Sequence, residues 1–88
     1  MPAFVLLYKK QAVKDIQKLP KQVQKRLKTK LEWFINQENP LKFASPLTKP
    51  ADADYRFRVG SYRILFDIEG SNKVAILHVQ HRRDVYRK

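Results

Sequence analysis

Apolar positions along the chain change period twice, and each change marks a new kind of element. Phe4-Val5-Leu6-Leu7-Tyr8 is a short apolar run bounded by charge, which reads as one strand buried on at least one face. From Lys10 the spacing becomes helical. Val13, Ile16 and Leu19, with Ala12 beside them, recur every three or four residues, while Lys14, Asp15, Gln17 and Lys18 fill the other side. Pro20 closes this helix and is placed to open the next, because the first helical turn lacks intrahelical N–H partners anyway. Val23, Leu27, Leu31, Phe34 and Ile35 then form one stripe from Lys21 to about Gln37. The expectation is a hairpin of two antiparallel helices with one apolar side.

Between Asn39 and Asp54 the periodicity stops, and Pro40, Pro46 and Pro50 predict a surface connection. Strict alternation begins at Tyr55, with Phe57 and Val59 pointing one way and Arg56 and Arg58 the other. Gly60-Ser61 has the form of a two-residue hairpin turn. Tyr62, Ile64, Phe66 and Ile68 then alternate against Arg63, Leu65 and Asp67. Gly70-Ser71-Asn72 reverses the chain again before the strand Val74–Val79, and a basic tail runs from Gln80 to Lys88. The reading is a single α+β domain over residues 1–88: N-terminal strand, helical hairpin, then a three-stranded antiparallel meander with a short basic tail.

Composition changes this picture in one respect, which is charge. The 88 residues carry 19 Lys and Arg against 8 Asp and Glu, a net charge of +11. Such an excess repels itself in the compact state and calls for a polyanionic partner. Cysteine is absent, which excludes disulfide scaffolds, thiol catalysis and Cys-based metal sites. Nothing approaches the length of a membrane span or a signal-peptide core, so a soluble, cytoplasmic protein is expected.

The cations are also segregated by type. Residues 1–54 hold ten Lys and a single Arg, Arg26, whereas residues 55–88 hold Arg56, Arg58, Arg63, Arg82, Arg83 and Arg87. Lysines on amphipathic helices read as a hydrated, solubilising face. Arginines in strands are harder to account for that way, since the planar guanidinium fork matches phosphate oxygens and stacks on bases. If the apolar residues of both meander strands meet one core, then Arg56, Arg58 and Arg63 share the opposite face. Like charges opposed across strands are unfavourable without a ligand to neutralise them. Arg82 and Arg83 follow the last strand, with His81 and Tyr86 close by. The bland alternative is that an antiparallel sheet has a wet face in need of charges.

These residues form recognisable motifs. Tyr55-Arg56-Phe57-Arg58-Val59-Gly60-Ser61-Tyr62-Arg63-Ile64-Leu65-Phe66 is similar to the YRxRxGxYRxxF signature of RelE/ParE-superfamily toxins. His81-Arg82-Arg83-Asp84-Val85-Tyr86 resembles the HRRxVY ending of the RelE-type members. The resemblance runs from about Phe4 to Arg87 and implies a RelE-like fold. It further implies a toxin of a type II toxin–antitoxin pair that cuts mRNA in the ribosomal A site, without metal or other cofactor, by attack of the ribose 2′-hydroxyl. A cognate acidic antitoxin and mRNA on the ribosome are the implied partners, with neither a membrane nor a metal among them.

By the same resemblance, Arg56 and Arg58 match basic positions lining the RNA path, and Arg63 matches the arginine on the scissile phosphate. Arg82 matches a second phosphate-stabilising arginine, Tyr86 the tyrosine that orients substrate, and His81 a basic position beside them. Arg83 and Arg87 add to the RNA-binding set. The founding RelE-type toxin has lysines at the Arg56 and Arg58 positions, one of them proposed to help proton transfer. Arginine stays protonated in proteins and is a poor base, so that role must move elsewhere or fall to the ribosome.

Transfer to a 2′-hydroxyl needs a base, charge stabilisation on the phosphorane and an acid for the 5′-oxygen. The arginines supply the second. His81 is the first choice as proton carrier, since imidazole changes charge near neutral pH, and its alternative is a surface residue at a strand end. His78, in phase with Val74 and Ile76, reads as structural. Asp67 reads as an ion-pair partner for an arginine rather than a base. Tyr55 and Tyr62 read as structural, and Trp33 is left without a role. No His/Asp/Glu grouping has metal-ligand spacing, and Gly60 and Gly70 alone cannot make a phosphate loop. Two rival functions share this reading: a non-enzymatic, ParE-type inhibitor of DNA gyrase, and a basic RNA- or ribosome-binding module that does not cut.

Overall fold

The computed structural model describes residues 4–48 and 52–83. Strand β1 is Val5–Tyr8, helices α1 and α2 are Lys10–Gln17 and Lys21–Ile35, β2 is Ser45–Pro46, β3 Tyr55–Val59, β4 Tyr62–Glu69 and β5 Lys73–His81. The strands form one sheet in the order β1-β5-β4-β3-β2. Strands β3, β4 and β5 are the expected antiparallel meander. β1 runs parallel to β5 and pairs with its first half, from Val5 opposite Lys73 to Tyr8 opposite Ile76.

The connection expected between Asn39 and Asp54 has more order than its sequence shows. Pro40–Phe43 is a short 3-10 helix whose first turn is capped by the Asn39 side chain, which accepts the Leu41 N–H at 3.1 Å. Ser45–Pro46 then pairs with Arg56 and Tyr55, adding a fifth strand. Proline is tolerated here because β2 is the outermost strand and no partner on its free side requires an N–H.

Pro20 stands just before α2, and its carbonyl accepts the Gln24 N–H at 3.0 Å. The α2 stripe is buried through Leu27, Leu31 and Phe34. Of the expected α1 stripe, Ala12 is fully buried and Ile16 and Leu19 pack on the core, while Val13 departs from it at 39% exposed. α1 packs against β5, and the methyl of Ala12 lets the two backbones come close. Phe34, Phe57 and Phe66 stack in a column, with centroids 4.1 and 4.3 Å apart, that ties α2 to β3 and β4. Each such pair adds roughly 0.5–1.5 kcal/mol beyond area burial. With Phe57 and Val59 held inward, Arg56 and Arg58 are committed to the other face.

β1 is more exposed than a strand buried on one face would be. Leu6 packs on the core, but Val5, Leu7 and Tyr8 are all exposed, as befits an edge. Where β1 ends, α1 covers the rest of the β5 edge: the Asp15 Oδ2 accepts the Val79 N–H at 3.0 Å.

Candidate functional site

The β3–β4 hairpin brings the arginines together. Arg58 stands directly opposite Arg63, and Arg56 opposite Leu65, so all three arginines share the sheet face away from the core. Leu65, expected on the wet face, is buried nonetheless, flanked across the ladder by Arg56 and His78. The Gly60-Ser61 turn is closed with Gly60 at φ +58°, a left-handed conformation that glycine adopts without cost.

The end of β5 completes the site. The Arg82 N–H donates to the Ser61 carbonyl at 2.6 Å, pinning the start of the basic segment onto the β3–β4 turn. A small cleft of about 160 Å³ results, lined by Arg58, Gly60, Ser61, Tyr62, Arg63 and Arg82. Its arginines come from two strands and from the residue after a third, and no carboxylate lines it among the described residues. Chemically this is an anion cradle of phosphate size with planar hydrogen-bond donors on several sides. Among the described residues, no group of three or more His, Cys, Asp or Glu could hold a metal ion.

The comparisons with known proteins decide the family. Residues 6–86 match the family model described as the ParE toxin of the type II toxin–antitoxin system parDE. The chain belongs to the RelE/ParE superfamily of toxins. The toxin is 34% identical over 83 residues to Toxin RelE3 of Methanocaldococcus jannaschii, covering 92% of this chain and 93% of that one. It is 32% identical over 80 residues to Toxin RelG of Mycobacterium tuberculosis, covering 88% of each. Among solved structures it is similar to the RelBE2 toxin–antitoxin complex of M. tuberculosis, with a TM-score of 0.71, 26% identity, and 91% of this chain and 99% of that chain covered. The RelB–RelE complex of Methanococcus jannaschii matches with a TM-score of 0.67 at 30% identity, over 91% and 94% of the two chains.

The toxin's expected site residues are not all gathered. Arg58, Arg63 and Arg82 line the cleft, while Arg56 lies one step further along the same strand face. β5 runs two residues beyond the expected Val79 and takes Gln80 and His81 into the sheet. His81 pairs with Tyr62, one phase off the Arg63–Gln80 pair, so it starts from the core-facing side. Its ring meets Tyr62 edge-on at 5.0 Å, and its Nδ1 accepts the Arg83 N–H at 3.0 Å. His81 therefore adjoins the cleft through Tyr62. Arg83 is exposed beside it, outside the cleft lining. Tyr86 and Arg87 lie outside the described residues.

One subsidiary expectation changes. His78 is out of phase with Val74 and Ile76 because β5 carries an extra residue, Leu77, between the His78–Leu65 and Ile76–Phe66 pairs. Such a bulge turns the following residues over. His78 thus shares the arginine face, with its Nδ1 3.7 Å from Asp15 Oδ2. Asp67 accepts the Asp54 N–H at 2.7 Å, fastening the loop that leads into β3. Sequence reasoning gave Trp33 no role and passed over Arg26 except as the lone N-terminal arginine. Both border a second hollow, next to the cleft.

Proposed function

We propose that this toxin is a metal-independent endoribonuclease that cuts mRNA in the ribosomal A site and so arrests translation in the cytoplasm. The observation that carries the reading is the phosphate-sized cleft on which Arg58, Arg63 and Arg82 converge. In the reaction the 2′-oxygen forms a bond to phosphorus as the bond to the 5′-oxygen breaks. The 2′-hydroxyl proton passes to a base, and the departing 5′-oxygen takes one up, leaving a 2′,3′-cyclic phosphate and a 5′-hydroxyl. Arg63 and Arg82 neutralise the phosphorane, with Arg58 beside them, and Arg56, Arg83 and Arg87 hold the flanking backbone. Fixed donors of this kind are worth about 10²–10³ in rate each.

His81 donates a hydrogen bond to the substrate in this scheme rather than acting as its base. With Nδ1 occupied by the Arg83 N–H, the neutral ring carries its proton on Nε2 and keeps no free lone pair. Tyr86 orients the substrate, as the family motif implies. Abstraction of the 2′-proton is left to the ribosome or to solvent, since arginine cannot perform it.

The toxin's partner in this reading is an acidic antitoxin. Its relatives of solved structure are named as complexes of a RelE toxin with RelB, and a net charge of +11 favours an anionic protein that covers the arginine face. A second reading, inhibition of DNA gyrase without RNA cleavage, draws on the match to the ParE toxin model.

The deciding experiment is cell-free translation of a defined mRNA with primer extension, with and without ribosomes. Discrete cuts at the A-site codon that disappear with Arg63→Ala or Arg82→Ala are expected. Intact mRNA with translation blocked would overturn cleavage in favour of binding. Intact mRNA with undisturbed translation, coupled to loss of supercoiling in a gyrase assay, would favour the second reading.

A further inference from the structure

Arg26, the one arginine among residues 1–54, reaches from α2 to the β3–β4 turn. Its Nη2 lies 2.9 Å, and its Cζ 3.3 Å, from where a Cβ at Gly60 would stand. The missing side chain at Gly60 is therefore what allows the guanidinium to rest on the turn. Around it opens a hollow of about 590 Å³ bordered by Lys25, Arg26, Lys30, Trp33, Arg58 and Gly60, with no Asp or Glu among the described residues of its lining. Trp33 is 42% exposed there. Its indole is held edge-on by Phe34 and Phe43 at 5.6 and 5.0 Å, and the Lys30 ammonium lies 4.3 Å from its centroid.

Arg58 and Gly60 line both this hollow and the cleft of Arg63 and Arg82. The turn is thus a shared wall, and a strand leaving the cleft over Gly60 enters the hollow. We propose that the hollow binds the RNA strand adjoining the cut, with Arg26 and Lys30 on its phosphates and a base stacked on Trp33. This rests on the reading of the cleft as an RNA site. Positive charge alone would serve an acidic protein equally. The oriented, half-exposed indole beside guanidinium forks is what single-stranded nucleic acid uses, because every base presents a π-face.

Trp33 is the only tryptophan of the chain, so its fluorescence reports on the hollow directly. The full-length toxin is titrated with a single-stranded oligoribonucleotide methylated at every 2′-oxygen, with an abasic strand of the same length, and with polyglutamate. A methylated dinucleotide serves as a probe of the cleft alone. The expected result is quenching of Trp33 by the base-bearing strand and none by the abasic strand. Variant affinities are read from the fluorescence anisotropy of the same strand and dinucleotide carrying a fluorescein label: Arg26→Ala and Trp33→Ala should each weaken the long strand by about tenfold and leave dinucleotide affinity unchanged. Equal responses to strands with and without bases, or unchanged long-strand affinity in both variants, would overturn the proposal. Quenching by polyglutamate but not by RNA would overturn it in favour of an acidic protein. Quenching by RNA in a toxin that fails to cut message would sustain the hollow and refute only the cleavage reading. Cleavage that depends on Arg63 while Arg26→Ala binds like wild type would do the reverse.

Discussion

Arg58 and Arg63 are direct cross-strand neighbours, two guanidinium groups paired across the β3–β4 ladder at the mouth of a cleft. Opposed like charges in a sheet cost roughly 0.2–1 kcal/mol. Arg58 is exposed and packs no core. Arg58→Gln should therefore leave the toxin as stable as wild type or up to about 1 kcal/mol more stable in urea unfolding. Its affinity for RNA should fall in the same protein. A variant that is clearly destabilised would show that the pair is held by something stronger than its repulsion.

The two glycines separate backbone strain from contact. Gly60 and Gly70 share nearly the same left-handed conformation, at φ +58° and +61°. A methyl group at Gly70 meets nothing within 4 Å, whereas at Gly60 it meets the Arg26 guanidinium. Gly70→Ala should cost the backbone contribution of roughly 1–2 kcal/mol, and Gly60→Ala more. In an Arg26→Ala background the two costs should converge, which a double-mutant cycle by denaturant unfolding measures.

Asp15 closes the β5 edge that β1 leaves open. One carboxylate oxygen accepts the Val79 N–H at 3.0 Å, and the other accepts Gln11 Nε2 at 2.9 Å. Asp15→Ala strands a part-buried backbone donor and should cost about 1–3 kcal/mol. Asp15→Asn, which keeps an acceptor oxygen, should cost less. Hydrogen exchange at the Val79 amide should accelerate in the alanine variant more than at amides inside the β4–β5 ladder.

Tyr8 makes the fold sensitive to alkali. The residue as a whole is 37% exposed, but partial desolvation of the ring first, and the negative charge of Glu32 second, hold its hydroxyl above the ordinary value of 10.0. The folded state therefore keeps a proton that the unfolded chain gives up. That contribution is fully present below pH 10 and is lost as pH rises through the folded-state value. Unfolding midpoints should decline above pH 10 in wild type and less steeply in Tyr8→Phe. Glu32→Gln should lower the tyrosinate transition seen in ultraviolet titration while leaving it raised, because burial is the larger cause.

Most of the meander was legible in the sequence because side chains in a strand alternate strictly. Phe57 and Val59 must face the core if Arg56 and Arg58 face water, and two residues at Gly60-Ser61 admit only a tight reversal. The same logic went wrong at His78. A bulge inserts one residue without leaving any mark in composition, and Leu77 reads as one more apolar strand residue. In α1 only Val13 leaves the expected side, since periodicity marks an apolar side but not which residue lies closest to β5.

The amino-acid sequence by itself determined the order of elements, the segregation of Arg from Lys, and which face of β3 and β4 carries the arginines. These follow from local periods of 2 and 3.6 and from turn chemistry, properties of neighbours along the chain. Only the tertiary structure decided that β1 lies parallel to β5, that Arg82 is tied to Ser61, that His81 pairs with Tyr62 and that Arg26 rests on Gly60. Each of these joins residues far apart in sequence. Their meeting depends on which strand edges pair, in what register, and how much space a missing side chain leaves.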